Sequence, residues 1–205
     1  MKQVYTLKVS LTEDPKRFWR TIDVLSNFTV ARVGYAILAA FEAEGSHLFS
    51  FNIKDTDYEF VYDDCAMLDI DVPPTSPDTV ELPELGLSVG DHFNFVYDFG
   101  SDWEFDIEVV KIEDLEKGFS CLFPRITDGM GKGIIEDAIP FQLVEIADKN
   151  VEMDGPVEII SILTGEDEPE YEEYLDVIPY SIPKNNSALK RNILKLLHQY
   201  EDDDE

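Results

Sequence analysis

The sequence predicts an α+β fold with a mixed, mostly antiparallel sheet, packed by a long helix after the first hairpin, and with a helical C-terminal extension. Three observations support this prediction. Residues 93–109 alternate between apolar and polar side chains on either side of a Gly-Ser-Asp break, as paired strands do. Residues 3–11 and 18–25 alternate in the same way. Apolar residues recur at helical spacing in residues 29–41 and again in residues 187–200.

The N-terminal segments predict a hairpin followed by a helix. Residues 3–11 and 18–25 are separated by an Asp-Pro turn signal, so we expect them to pair as antiparallel strands. Ser26 or Thr29 can cap the start of the helix, and Gly45 lies where a left-handed C-cap residue is expected. One face of this helix carries Val30, Val33, Ile37 and Phe41.

The middle of the chain is expected to add strands and loops. Residues 47–53 alternate and should return to the sheet, followed by a short strand over residues 58–62. Residues 69–84 contain four prolines and many acidic residues, which indicates an exposed, mobile connecting loop. Residues 120–123 can form a further strand. The glycine-punctuated residues 128–133 indicate a loop.

The hairpin over residues 93–109 is expected to have two chemically different faces, because successive side chains of a strand point to opposite sides. The apolar face consists of Phe93, Phe95, Tyr97, Phe99, Trp103, Phe105, Ile107 and Val109. The opposite, acidic face consists of Asn94, Asp98, Glu104, Asp106 and Glu108. We expect the apolar face to enter the core and the acidic face to meet solvent.

The last third of the chain predicts mostly helix. A helix is expected after Pro140, and residues 157–163 are an apolar run that suits either helix or strand. Residues 165–173 form a charged spacer. Residues 187–200 are an amphipathic helix whose apolar face carries Leu189, Ile193, Leu196, Leu197 and Tyr200. We divide the chain into an α+β domain over residues 1–147, a C-terminal helical extension over residues 148–200 that packs on it, and a disordered acidic tail over residues 201–205.

The net charge of −28 is concentrated in the middle of the chain, because 36 of the 44 acidic residues lie within residues 41–183. Such a surface can simply be solvated, can attract a basic protein, or can mimic the charge of nucleic acid. Direct nucleic-acid binding is disfavoured, because phosphate neutralisation needs a concentrated Lys/Arg surface. No run of about 18 apolar residues is present, so we expect a cytoplasmic protein without a membrane partner.

The candidate sites from residue chemistry alone are few. Asp98, Glu104 and Asp106 are expected to lie near one another across the hairpin, where they could hold a divalent cation or only solubilise the sheet. His47 follows a helix and precedes a strand, a position that suits a local hydrogen bond, a base or a ligand. Cys65 and Cys121 lack zinc-site spacing, so we expect two reduced, buried thiols and no further cofactor.

The segment YDFGSDWEFDIEV resembles the signature of the plasmid pRiA4b ORF-3-like family, in which Tyr-Asp-Phe-Gly-Asp-x-Trp-Glu-His begins a similar hairpin. Residues 29–51 resemble the helix and His-Leu strand of that family, and residues 124–139 resemble its Pro, Gly and Glu-Asp segment. The positions that carry the resemblance are His47, Tyr97, Asp98, Gly100, Asp102, Trp103, Glu104, Pro124, Gly129, Glu136 and Asp137.

The resemblance extends over residues 3–147 and implies an α+β fold from a bacterial and archaeal group that also occurs as passengers of insertion elements. Two departures stand out. The family histidine after Trp-Glu is Phe105 here, and the Gly-Gly after Glu-Asp is Ala138-Ile139. If the family used that histidine as a ligand or proton shuttle, this chain has lost it.

No complete catalytic set is present in the sequence, so we expect a binding or interaction module rather than an enzyme. One alternative is a divalent-metal-dependent hydrolase or nuclease, which would use His47, Asp98, Asp102, Glu104, Glu136 and Asp137. A second alternative is an acidic mimic of nucleic acid that binds a basic protein.

Overall fold

The computed structural model describes residues 2–60, 74–115, 124–167 and 169–201. Within them, a seven-stranded antiparallel sheet has the order β4-β3-β5-β6-β1-β2-β7, which confirms the predicted α+β class. Its strands are β1 (Gln3–Leu11), β2 (Trp19–Leu25), β3 (Phe49–Ile53), β4 (Thr56–Glu59), β5 (His92–Tyr97), β6 (Trp103–Asp114) and β7 (Arg125–Met130). The helices are α1 (Val30–Ala40), α2 (Pro140–Met153), α3 (Ile160–Thr164) and α4 (Ile182–Glu201), and β8 (Val157–Glu158) pairs with β9 (Tyr174–Leu175) in a small second sheet.

Helix α1 lies between the sheet and α4, so nearly all of its residues are buried. The Thr29 side chain caps its start by accepting a hydrogen bond from the backbone N–H of Arg32. The expected C-cap at Gly45 is wrong: the helix ends at Ala40, and Glu42 takes the first positive φ, of 60°. Gly45 still needs its glycine, because its φ is 83° and an added Cβ would lie 2.4 Å from a Leu196 methyl carbon.

The predicted hairpin is present as β5 and β6, with Tyr97 opposite Trp103 and Phe95 opposite Phe105. Two assignments at its tip are wrong. Phe99 is 44% exposed rather than in the core, and Asp98 is buried rather than on the acidic face. The cause is the turn itself, since Asp98 and Asp102 both have positive φ and end the alternation of the strands.

The glycine-punctuated segment is only partly a loop. Residues 128–130 belong to β7 and pair with β2 at the edge of the sheet, which corrects the loop prediction for that half. Beyond β7, an added Cβ at Gly133 would lie 1.7 Å from the carbonyl oxygen of Phe41. Glycine therefore lets this segment lie directly against the end of α1.

The C-terminal elements share the core of the sheet. The helix expected after Pro140 is α2, which continues through the predicted domain boundary at residues 147 and 148. The apolar run at 157–163 divides into β8 and α3, and α4 begins at Ile182, before its expected start. Core residues contributed by this region include Val157, Val177, Leu189, Leu196 and Tyr200.

Several predictions fall partly or wholly outside the described residues. The strand expected over 58–62 is found as β4, and residues 61–73 are not described. The proline-rich stretch is described from residue 74 and contains a 3-10 turn at Leu82–Leu85, in which Leu82 is buried. The strand over 120–123, both cysteines and residues 202–205 of the tail lie outside the described residues.

Candidate functional site

Four ionisable side chains from three separate segments meet at one end of the sheet. His47 precedes β3, Asp98 follows β5, and Glu136 and Asp137 precede α2. The Nε2 atom of His47 lies 3.6 Å from Oδ2 of Asp98, 3.9 Å from Oε2 of Glu136 and 3.6 Å from Oδ1 of Asp137. We call these four residues the His47 cluster.

The imidazole of His47 lies among carboxylates without forming a hydrogen bond through Nε2. Each of the three distances is longer than a hydrogen bond. Nε2 itself is buried and has no hydrogen-bond partner, although about a third of the side chain is exposed. A buried polar atom of this kind is a position where a ligand or water can complete the bonding.

Asp98 is held in place by the turn that it begins. Its φ is 55°, its carboxylate accepts a hydrogen bond of 3.1 Å from the backbone N–H of Gly100, and its own N–H donates to the Leu48 carbonyl. Burial acts to raise the pKa of Asp98, but hydrogen bonds from the Ser101 side chain and from the Gly100 and Ser101 amides, together with His47, outweigh it and lower the pKa. Asp98 is therefore a fixed negative charge beside His47.

Glu136 is fixed by donors on two sides. The Tyr97 hydroxyl donates to both carboxylate oxygens at 3.1 Å, and the backbone N–H of Glu44 donates to Oε1. Burial, followed by the negative charge of Glu136, raises the pKa of Tyr97, so the hydroxyl remains a protonated donor. The Tyr97 ring also packs edge-on against His47, with 5.9 Å between ring centroids.

Asp137 is the solvent-facing member of the His47 cluster, because its side chain is 91% exposed. Its backbone has a φ of 60°, and the next residue is anchored by a 2.9 Å hydrogen bond from the Trp103 indole N–H to the Ala138 carbonyl. Trp103 is buried on β6. The family-signature tryptophan therefore fixes the segment that presents Asp137.

Helix α4 holds the backbone of the segment that carries His47. The Tyr200 hydroxyl donates to the backbone carbonyl of His47, and Lys195 Nζ donates to the Glu44 carbonyl at 3.2 Å. Sequence reasoning did not identify these contacts. No sequence signal links a residue of the last helix to a loop about 150 positions earlier, so only the tertiary structure reveals them.

Glu104 and Asp106, the other two acidic residues proposed for a cation site, lie outside the His47 cluster. Glu104 accepts a hydrogen bond from the Asn94 amide at 3.2 Å, and Asp106 lies 3.0 Å from Nδ1 of His92. Asp98 instead lies against His47 and the Gly100 amide, so the expected trio of Asp98, Glu104 and Asp106 is not brought together. Among the described residues, no group of three or more His, Cys, Asp or Glu is arranged to hold a metal ion.

Other signature residues have structural positions. Gly100 donates its amide to Asp98, and Asp102 closes the same turn through a hydrogen bond from its N–H to the Asp98 carbonyl. Phe105, where the family has histidine, is fully buried, with its ring 4.7 Å from that of Phe41 and 6.0 Å from that of Phe95. Position 105 therefore faces the core and contributes nothing to the His47 cluster.

Comparisons with known proteins give a family and a fold. A family model described as plasmid pRiA4b ORF-3-like protein matches residues 3–186. The crystal structure of a protein of unknown function from Methanosarcina mazei Go1 is similar with a TM-score of 0.67 and 21% identity, covering 91% of this chain and 97% of that chain. No curated protein matches the chain. Within the described residues, no helix combines the length and apolar character needed to cross a membrane.

Proposed function

The chain belongs to the plasmid pRiA4b ORF-3-like family, and from that premise we propose that it is a binding module whose His47 cluster recognises a cationic group. The group that fits is the ammonium or guanidinium of a lysine or arginine side chain on a basic partner protein. The family description names no activity, so the proposal depends on the chemistry of the site.

One observation carries this proposal: three carboxylates converge on an imidazole nitrogen that has no hydrogen-bond partner. Within the described part of the chain, no lysine or arginine forms an ion pair with Asp98, Glu136 or Asp137. Carboxylates held this close repel one another, and a cation from outside offsets that repulsion. An ammonium or guanidinium group also supplies several donors for the carboxylate oxygens.

The three carboxylates lie at different depths below the surface, which suits recognition of a side chain that enters from solvent. Asp137 is exposed and meets the ligand first, whereas Asp98 and Glu136 are held by hydrogen bonds deeper in the site. Preorganised acceptors lose little conformational freedom on binding, which favours affinity. Tyr97 and Trp103 hold this geometry from the rigid hairpin rather than contacting the ligand.

The charge of the whole chain supports a basic partner. A net charge of −28 attracts cationic proteins over long range and raises their rate of association at low ionic strength. The metal-dependent alternative has less support, because Glu104 lies apart from the His47 cluster against Asn94, and among the described residues no group of three or more His, Cys, Asp or Glu is arranged to hold a metal ion. The proposal of a nucleic-acid mimic has no described surface that favours it over a cation-binding module.

The experiment is a nuclear magnetic resonance titration of the isotope-labelled protein with Nα-acetyl-lysine methylamide and Nα-acetyl-arginine methylamide. We expect saturable shift changes at residues 44–48, 97–101 and 136–138. The Asp137→Asn variant should weaken binding about tenfold, which corresponds to about 1.4 kcal/mol. Asp137 is exposed, so this variant keeps the fold.

The matched control is Asp167→Asn, which removes the same charge from an exposed position outside the His47 cluster. It should bind both amides as the unaltered protein does. The Nε-acetylated form of the lysine amide, which lacks the positive charge, should not bind. Equal affinities of the two variants, or equal binding of the acetylated amide, would refute the proposed recognition of a cation by this cluster.

A further inference from the structure

A second site lies at the start of α4, where a cavity of about 310 Å³ opens between this helix and the segments near residues 42, 132 and 176. Its polar lining includes Glu42, Lys132, Asp176, Tyr180, Lys184 and Asn185. None of these residues belongs to the His47 cluster. The volume suits a small organic molecule or an oxyanion, at the lower end of ordinary ligand pockets.

Two hydrogen-bonding groups of this cavity are buried without partners. Asn185 is only 8% exposed, and its Nδ2 forms no hydrogen bond. The Tyr180 hydroxyl is also buried; it lies beside the Asn185 amide, which acts on its pKa, but no bond between the two groups meets hydrogen-bond geometry. Burial raises the pKa of Tyr180, and the nearby charge of Arg20 and the Asn185 amide offset this only in part, so the hydroxyl keeps its proton and can donate. Leaving such groups unbonded destabilises the folded protein, and a ligand that accepts their hydrogen bonds removes that penalty.

Three positively charged side chains, those of Lys132, Lys184 and Arg20, lie at or beside the same cavity. Lys132 and Lys184 line it, and neither forms an ion pair with any described residue. The guanidinium of Arg20 lies beneath the Tyr180 ring, 3.8 Å from its centroid. Helix α4 adds the positive end of its backbone dipole, since the cavity adjoins its first turn.

The two acidic residues of the lining already have roles within the protein. Asp176 accepts a 3.0 Å hydrogen bond from the backbone N–H of Ile178. The negative charge of Glu42 acts on Arg20 and raises its pKa against the larger effect of burial. The lysines have no comparable partners, so the unsatisfied groups of the cavity are all donors and cations.

We propose that this cavity binds a small ligand through an anionic oxygen group, a carboxylate or a phosphate. Lys184 and Lys132 neutralise its charge, and the Asn185 amide and Tyr180 hydroxyl donate hydrogen bonds to its oxygens. This requirement for an anion separates the cavity from the His47 cluster, whose carboxylates require a cation. The two sites are therefore independent, and either can be tested without the other.

The test is a titration of the full-length, isotope-labelled protein with inorganic phosphate and, separately, with acetate, up to about 50 mM at constant ionic strength. We expect saturable shift changes at Tyr180, Lys184 and Asn185 with one or both anions. Tighter binding of phosphate assigns the site to phosphate-bearing ligands, and tighter binding of acetate assigns it to carboxylates. The absence of saturable shifts with both anions overturns the proposal.

A pair of lysine variants on one helix provides the matched control. Lys184→Gln removes a charge from the cavity, and Lys190→Gln removes the same charge from an exposed position of α4 outside it. We expect the first to weaken anion binding about tenfold and the second to leave it unchanged. Because both side chains are exposed, both variants keep the fold, as their amide spectra will verify. Equal weakening by the two substitutions would show nonspecific attraction and overturn the proposal.

Discussion

The side chain of Arg20 connects several backbone segments through hydrogen bonds. It is fully buried on β2, and its guanidinium donates to four carbonyl oxygens, those of Trp19, Ala40, Met130 and Gly131. Its cation also lies 4.6 Å from the centroid of the Phe41 ring. Burial lowers the pKa of Arg20 to about 10, so the group remains charged at neutral pH. A single side chain thus joins β2, the end of α1 and the end of β7.

Replacing Arg20 by lysine is expected to destabilise the protein by about 3 kcal/mol or more. An ammonium group lacks the planar fork of donors, so several of the four buried carbonyls would lose their partners. The free energy of unfolding in urea measures the effect. Arg17→Lys is the control, since Arg17 is partly exposed and pairs with Asp14 near the surface. A loss below about 1 kcal/mol for Arg20→Lys would contradict this role.

Asp98→Asn is expected to destabilise the protein by about 1 kcal/mol at pH 7, because it removes a charged acceptor of three hydrogen bonds. Asparagine tolerates the positive φ at this position, so the backbone is not strained further. The pKa of Asp98 is lower in the folded state, so its stabilisation is present above the ordinary pKa of about 3.9 and is lost as the pH falls through the lowered value.

Unfolding free energies of Asp98→Asn and the unaltered protein, measured from pH 7 down to about pH 2, test this linkage. The two curves should converge at the acidic end. Asp167→Asn should run parallel to the unaltered protein throughout. A difference between Asp98→Asn and the unaltered protein that stays constant with pH would show that the charge of Asp98 contributes nothing.

At the scale of elements, the β5–β6 hairpin was the best predicted part of the molecule. Alternation assigned Tyr97, Trp103 and Phe105 to the buried face, because the side chains of a strand alternate between its two sides. It failed at Asp98 and Phe99, where a turn with positive φ replaces the strand geometry on which alternation depends. Because the turn ends the alternation, the Asp98 carboxylate lies in the His47 cluster and not on the acidic face of the sheet.

The hydrophobic pattern of α4 predicts which face of the helix is buried but not which residues that face contacts. Its apolar face was predicted, and Leu189, Leu196 and Tyr200 are buried as expected. The surface that this face contacts could not be predicted, because it is formed by residues far away in the sequence. The Tyr200 ring stacks on Tyr35 of α1 at 5.5 Å and meets Phe49 of β3 at 5.2 Å.

Tyr200→Ala is expected to destabilise the protein by about 3–4 kcal/mol, since it removes a large aromatic side chain from this packing. Tyr200→Phe keeps the ring and removes the hydroxyl that donates to the His47 carbonyl, so about 1 kcal/mol is expected. The free energies of unfolding of the two variants in denaturant separate the contribution of the ring from that of the hydroxyl. Similar losses in both would mean that the packing of the ring contributes little.

At the scale of the whole molecule, the family signature identified more of the site than residue chemistry did. The resemblance pointed to His47, Asp98, Glu136 and Asp137, which the fold brings together. Reasoning from charge alone grouped Asp98 with Glu104 and Asp106, because it assumed that the strand continued through the turn. Neither the family resemblance nor residue chemistry predicted the buried Arg20 or the cavity at α4, since both depend on tertiary contacts between distant segments.

The net charge of −28 is expected to make the stability of the folded protein sensitive to salt. Screening of like charges in the compact state should raise the free energy of unfolding by about 1 kcal/mol between about 20 mM and about 500 mM NaCl. For a chain of this size, that change raises the melting temperature by about 2–4 °C. Thermal unfolding at the two salt concentrations measures it. An unchanged or lower melting temperature would mean that ion pairs already balance the repulsion.

The central claim is that the His47 cluster binds a cation, and the affinity for Nα-acetyl-lysine methylamide in Asp137→Asn relative to Asp167→Asn tests it most directly. The two variants have the same net charge, so nonspecific attraction is equal in both. We predict that Asp137→Asn binds about tenfold more weakly than Asp167→Asn. Equal affinities would contradict the claim.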